Sequence, residues 1–175
     1  MGELALFYGS STGDTRKIAH QIASLCEECA LPCPELFDVA DYYLEEMAEF
    51  DGLLIGAPTW DVGQLQKDWQ AVFDEFDTLD LNGKWAAIVG LGDQMGYPDT
   101  FADSLLFFAD RLRERGATLI GRWPTEGYEF RGSWSVEEGR FVGLVLDEVN
   151  QPQLTEVRLR LWLTQLAVEL GRGAR

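Results

Sequence analysis

Two stretches of this chain are apolar at consecutive positions, Leu53-Leu54-Ile55 and Ala86-Ala87-Ile88-Val89. Side chains of a strand point alternately to the two faces of its sheet, so a strand of this kind must be covered on both. That requirement favours a parallel sheet with helices packed on each side. The remaining sequence keeps to the same plan. Runs at Leu4–Tyr8, Glu35–Asp38, Gly52–Ala57, Trp85–Gly90 and Ala117–Gly121 read as strands, with Phe141–Leu146 as a sixth apolar run. They alternate with amphipathic stretches at Thr15–Ala30, Tyr42–Glu49, Leu65–Phe76, Thr100–Arg115 and Gln153–Leu170. Leu159, Leu163, Leu166 and Leu170 show the helical spacing of a core-facing stripe. The expected fold is α/β, a doubly wound five-stranded parallel sheet. Between Arg122 and Arg140 the alternation breaks, and Trp123, Tyr128, Phe130 and Trp134 are set among glycines and Pro124. So many aromatics imply an ordered insertion rather than a linker. No repeat or boundary interrupts residues 1–175, a length suited to one domain.

Charge narrows the function. Thirty Asp and Glu against 14 Lys and Arg give a formal charge of −16. Nucleic acid is bound through clustered basic residues, and anionic membranes attract them, so neither is expected as a partner. A protein partner should present a basic surface. Met1-Gly2-Glu3 runs straight into an apolar strand, so no signal peptide is expected. Leu6 stands where a myristoylation signal needs Ser or Thr. No apolar run approaches the ~20 residues of a membrane span. A cytoplasmic monomer is the expectation. Cys26, Cys29 and Cys33 precede Pro34 in a partial echo of an iron–sulfur run. A fourth ligand is missing, because Ala23 fills the preceding slot, and a C-x-x-C redox pair belongs at a helix start rather than a helix end. Reduced thiols are the expectation here, and no metal ligand set is evident.

In open α/β sheets, ligands bind beyond the carboxyl ends of the strands. The three loops expected there are unusual. Gly9-Ser10-Ser11-Thr12-Gly13-Asp14-Thr15 joins the first strand to the first helix. Its hydroxyls and the amides of a helix start suit a phosphate, and Gly13 lets the backbone come close. No Gly-Lys-Ser/Thr follows, so a single terminal phosphate fits better than a polyphosphate. Taken alone, the same residues would serve as a helix cap. The second loop, Pro58-Thr59-Trp60-Asp61-Val62-Gly63, sets a large aromatic directly after a buried strand, suited to stacking on a flat ligand. The third, Gly90-Leu91-Gly92-Asp93-Gln94-Met95-Gly96-Tyr97-Pro98, has Met95 where a dinucleotide fingerprint needs glycine. Tyr97 is its stacking candidate, and its backbone can meet a ligand edge. Each loop by itself is generic. Together they describe a site for a planar heterocycle bearing one phosphate, the chemistry of flavin mononucleotide (FMN). His20 is the only histidine and falls within the first helix, so no Ser-His-Asp set exists.

With these segments in place, the sequence resembles the flavodoxins over essentially its whole length. Ser10 to Thr15 follow the family's [ST]-x-T-G-x-T phosphate loop, and Pro58-Thr59-Trp60 and Gly92-Asp93-Gln94-Met95-Gly96-Tyr97-Pro98 resemble its two isoalloxazine loops. Gly127-Tyr128-Glu129-Phe130 and Leu146-Asp147-Glu148-Val149-Asn150-Gln151 resemble the long-chain subgroup, in which an insertion splits the fifth strand. The resemblance implies a low-potential one-electron carrier that binds FMN non-covalently and shuttles between its semiquinone and hydroquinone levels. It implies that Ser10, Ser11, Thr12, Gly13, Asp14 and Thr15 hold the phosphate, and that Trp60 and Tyr97 cover opposite ring faces. It further implies that Pro58 and Thr59 belong to the first isoalloxazine loop, and that Asp61-Val62-Gly63 is where a peptide rotates on reduction, with the Asp61 carbonyl accepting from flavin N5–H. Leu91, Gly92 and Asp93 would meet the pyrimidine edge, and Asp147 would lie near the ribityl chain. Asp61 stands where Asn is commoner in the family. The implied partners are basic-surfaced redox proteins, a flavodoxin or ferredoxin reductase and electron acceptors. The alternative is an FMN-dependent NAD(P)H:quinone reductase, which needs one ring face open. A receiver domain of the same topology would need a carboxylate cluster where Tyr8-Gly9-Ser10 stands.

Overall fold

The computed structural model describes residues 2–60 and 62–173, with Trp60, Arg172 and Gly173 described as backbone alone. Five parallel strands form its centre. They are β1 (Leu4–Tyr8), β2 (Glu35–Asp38), β3 (Gly52–Trp60), β5 (Trp85–Leu91) and β10 (Leu144–Leu146), side by side in the order β10-β5-β3-β1-β2. A two-residue strand, β4 (Gln64–Leu65), folds back antiparallel on the end of β3. The doubly wound parallel sheet expected from the apolar runs is therefore present. The reason is visible in the packing. Leu53 and Ile55 point to one face, under α2 (Lys67–Val72) and α3 (Ser104–Glu114), with Phe7, Trp69 and Phe108. Leu54 points to the other, under α1 (Asp14–Cys26) and α4 (Thr155–Gly173), with Leu6, Ile22 and Trp162. Burying a Leu or Ile side chain fully is worth about 1.5–3 kcal/mol, so both helical layers are held by the strands' own composition.

The helices are shorter than their sequence patterns suggest. Thr15–Ala30 is α1 followed by a 3-10 turn at Glu27–Cys29, closed by Ala30 in the left-handed region at φ 64°. Tyr42–Glu49 is a 3-10 segment from Leu44, and Leu65–Phe76 is α2 followed by a 3-10 segment at Phe73–Thr78. The expected Thr100–Arg115 helix starts only at Ser104, because bonds to the insertion hold residues 101–103. Phe101 N–H donates to the Gly132 carbonyl at 3.2 Å, and Ala102 takes φ 56°. Cys26 and Cys29 are buried at the end of α1 and Cys33 is exposed, all three as free thiols. Burial pushes the Cys26 thiol up to about 12.

The fifth strand is split. A short β6 (Thr118–Leu119) pairs with Trp85 and Ala86 of β5, and β10 resumes the same edge at Val89–Leu91. Between them lies a small antiparallel sheet of β7 (Trp123–Pro124), β8 (Val136–Glu137) and β9 (Arg140–Phe141). The single run expected over Phe141–Leu146 is thus two strands in two sheets. Gly143 makes the transfer possible: a Cβ there would lie 2.3 Å from the Ile88 carbonyl oxygen, so only glycine lets the chain pass β5 this closely. The aromatic content of the insertion is used internally. Phe101, Phe130 and Phe141 meet with ring centroids 5.3–5.9 Å apart. Tyr128 accepts from Trp123 Nε1 at 3.0 Å and donates to the Val145 carbonyl. Burial raises its phenol to about 12.

Candidate functional site

The strand order places the chain reversal between β1 and β3, since β1 leads outward to β2 while β3 leads the other way to β5 and β10. A cleft opens at the carboxyl edge beside this point, where such folds bind ligands. Its described walls are Thr12, Asp14, Pro58, Thr59, Leu91, Gly92, Asp93, Tyr97, Glu148 and Val149. Eight of those ten come from the three loops singled out by sequence. None is basic.

The first loop forms the end of the cleft at the start of α1. Gly13 caps α1 at φ 93° and ψ −9°, with no side-chain cap on the helix. The first N–H groups of an α-helix lack intrahelical partners, so those of Asp14, Thr15 and Arg16 stay available where the helix dipole is positive. Ser10 Oγ accepts from Gly13 N–H at 3.0 Å, which fixes the turn. Ser11 Oγ accepts from Gln66 Nε2 at 2.9 Å. Gln66 is fully buried and also takes the N–H of Trp69, whose own Nε1 donates to the Gly56 carbonyl at 3.0 Å. The loop is thereby braced from below by α2. Asp14 is exposed and its carboxylate accepts from Thr12 Oγ1 at 3.3 Å. Thr15 is buried at the helix start. Arg16, in the first turn of α1, is paired with Asp38 at 2.7 Å.

In the second loop Pro58 extends β3 opposite Leu91, and Thr59 Oγ1 lies 2.7 Å from Ser104 Oγ. The Trp60 backbone pairs with Gln64; its side chain, like the whole of Asp61, lies outside the described residues. Val62 is 67% exposed. Gly63 turns at φ 76° against Asp103, and a Cβ on it would sit 2.9 Å from the Asp103 Cβ. Asp103 is buried and accepts from Trp134 N–H at 2.7 Å; burial raises its carboxyl above the usual aspartate range.

The third loop is held by Asp93, whose Oδ1 accepts from Gly96 N–H and from Asn150 Nδ2, both at 2.8 Å. Tyr97 stands over the cleft mouth, 43% exposed. Asp147 does not line the cleft. It is fully buried, and its carboxylate is filled by the N–H groups of Gln94, Val149 and Asn150 and by the side chains of Gln94 and Asn150. The following residues, Glu148 and Val149, form the wall instead. Gln66, Gln94, Asn150, Glu148 and Val149 were not singled out by sequence. The run from Leu146 to Gln151 carried the only signal for the last of these, through its likeness to the long-chain subgroup.

The chain is similar to known proteins along nearly its whole length. The family model described as Flavodoxin matches residues 6–162. A flavodoxin of Picosynechococcus sp. is 42% identical over 171 residues, which cover 98% of this chain and 99% of that protein. Flavodoxin 2 of Escherichia coli is 42% identical over 170 residues, 96% of each chain. The crystal structure of Fusobacterium nucleatum flavodoxin bound to flavin mononucleotide superposes with a TM-score of 0.90, at 29% identity and covering 97% of this chain and 99% of that one.

Proposed function

This chain belongs to the flavodoxin family, and from that premise we propose which of its residues hold FMN and how they serve electron transfer. As a member of that family it is an FMN-binding electron carrier and not an enzyme; the quinone-reductase alternative is not favoured. When bound, FMN supplies the one-electron chemistry. The protein supplies binding, orientation and electrostatics.

The residues present fit that group. Its phosphate needs donors without a chain of cations, and a helix start capped by a glycine at φ 93° offers them beside the hydroxyls of Ser10, Ser11, Thr12 and Thr15. This is the observation that carries the reading, because nothing basic lines the described cleft to do the same work. Asp14 contributes its backbone N–H, while its exposed carboxylate accepts from Thr12 Oγ1 rather than meeting the phosphate. Tyr97 covers one face of the ring, and Trp60 is assigned the other. Pro58, Thr59, Val62 and Gly63 flank the ring, and Asp61, which lies outside the described residues, is assigned the place facing flavin N5. The backbone of Leu91, Gly92 and Asp93 meets the pyrimidine edge. Asp147 acts from beneath, by fixing the loop that presents Glu148 and Val149.

Electrostatics then set the direction of the chemistry. Asp14, Asp93 and Glu148 line the cleft, and each fixed negative charge raises the cost of adding an electron there. The chain's charge of −16 steers docking toward partners with positive surfaces. The partners are redox proteins; a basic reductase and basic acceptors are the ones this surface suits. Among the described residues no helix is long and apolar enough to cross a membrane. A single-domain monomer working in the cytoplasm is consistent with these features.

Calorimetric titration of the apoprotein with FMN and with riboflavin tests the reading. FMN should bind far more tightly than riboflavin, and inorganic phosphate should compete at the helix start. Equal affinity for the two flavins would contradict the assignment of the phosphate loop.

A further inference from the structure

The insertion contributes no residue to the described wall of the cleft, yet a continuous chain of hydrogen bonds joins the two. Asn150 Nδ2 reaches both Asp93 Oδ1 on the cleft wall, at 2.8 Å, and Asp147 Oδ2, at 2.9 Å. Asp147 Oδ2 also accepts from the Gln94 side chain at 2.7 Å and from its backbone N–H at 3.0 Å. Gln94 Oε1 in turn accepts from Glu129 N–H, inside the insertion. Gln94 is 2% exposed, so water does not replace these partners.

The chemistry of the node is specific to an amide. One end must donate to a carboxylate and the other must accept from a backbone N–H, which leaves a single orientation of the side chain. A glutamate would set a carboxylate against that of Asp147, and a methionine of similar length offers neither function. The same loop also receives the insertion further on: the Pro98 carbonyl accepts from Arg131 N–H at 2.7 Å and Gly132 N–H at 2.9 Å.

We propose that Gln94 is a positioning residue that couples the FMN cleft to the insertion, so that filling the cleft tightens residues 127–132. The inference rests on FMN occupying the cleft as described above. Contacts to Leu91–Asp93 and Tyr97 restrict the 91–98 loop. The ordering of Gln94 is then already in place when it meets Glu129, which is positive coupling without a displacement.

Hydrogen exchange read by mass spectrometry, on apoprotein and FMN-loaded protein, tests this. In the natural chain FMN should slow exchange at the start of α1, in the 91–98 loop and also across 127–132. In Gln94→Met the slowing at 127–132 should fall about two- to tenfold, the effect of losing the neutral hydrogen bond from Glu129 N–H, while that at α1 persists. Gln94→Glu keeps the shape of the side chain and an acceptor for Glu129 N–H but loses the donor to Asp147, so it guards against a packing artefact and should show a smaller loss of the same sign. Undiminished protection of 127–132 in both variants would overturn the proposal. So would protection of α1 in the natural chain with none at 127–132. Absence of protection at α1 as well would overturn the FMN reading along with it.

Discussion

Replacing Gly13 tests the phosphate loop through backbone conformation alone. Gly13 holds φ 93° and ψ −9° at the cap of α1, and a Cβ built there meets nothing within 4 Å. Gly13→Ala therefore introduces no clash. Its cost is that of forcing an L-residue into the left-handed region, about 1–2 kcal/mol. Where that cost shows depends on the apoprotein. If the loop keeps its shape without FMN, urea unfolding loses the full amount and affinity is unchanged. If the loop relaxes in the apoprotein, stability is spared and Kd for FMN rises about 5- to 30-fold. The two losses should sum to the same 1–2 kcal/mol. Gly13→Asn, though larger, tolerates this region better and should lose less than Gly13→Ala. Urea titration of the apoprotein and quenching of FMN fluorescence measure both quantities. A larger loss for Asn than for Ala, or none for Ala in either assay, would refute a conformational role for Gly13.

Other outcomes follow from the charges and thiols. Asp93→Asn keeps an oxygen for both donors, since Gly96 N–H and Asn150 Nδ2 use the same Oδ1. Removing a like charge about 10 Å from the developing one is worth roughly 1–2 kcal/mol before salt screening, so the lower one-electron potential should rise by roughly 40–90 mV; an unchanged potential speaks against the electrostatic account. Burial raises the Asp103 carboxyl above its ordinary value, so the folded chain holds that proton to higher pH than the unfolded chain, and stability is lost as pH rises through this window. Asp103→Asn should therefore raise the urea midpoint at pH 7 and match the natural chain below pH ~4, near the unperturbed aspartate value; a difference independent of pH would contradict this. A thiol reagent at mildly alkaline pH should label the exposed Cys33 first and reach the buried Cys26, whose thiol is raised to about 12, only on unfolding; rapid native labelling of Cys26, mapped by mass spectrometry, would count against the packing around α1.

Much of the fold is legible because the physics is local. Leu53-Leu54-Ile55 can be satisfied only by cover on both faces, and both core layers divide these three residues between them. Ser10–Thr15 likewise form the turn and helix start that their composition suggests. Features set by distant partners are not legible in the same way. The delayed start of α3 comes from Gly132 and Trp134 holding Phe101 and Asp103, about thirty residues away in sequence. Gln66 supports Ser11 across 55 positions, and nothing in its neighbourhood announces that role. Asp147 shows the limit most clearly. The family resemblance sets it near the ribityl chain, but five donors from Gln94, Val149 and Asn150 already surround its carboxylate.

Stepwise anaerobic reduction of the FMN-loaded protein, followed by its visible spectrum, bears most directly on an acidic cleft built for single electrons. Two separate one-electron steps are expected, with the lower potential well below that of free FMN. One two-electron step at the potential of the free cofactor would contradict it.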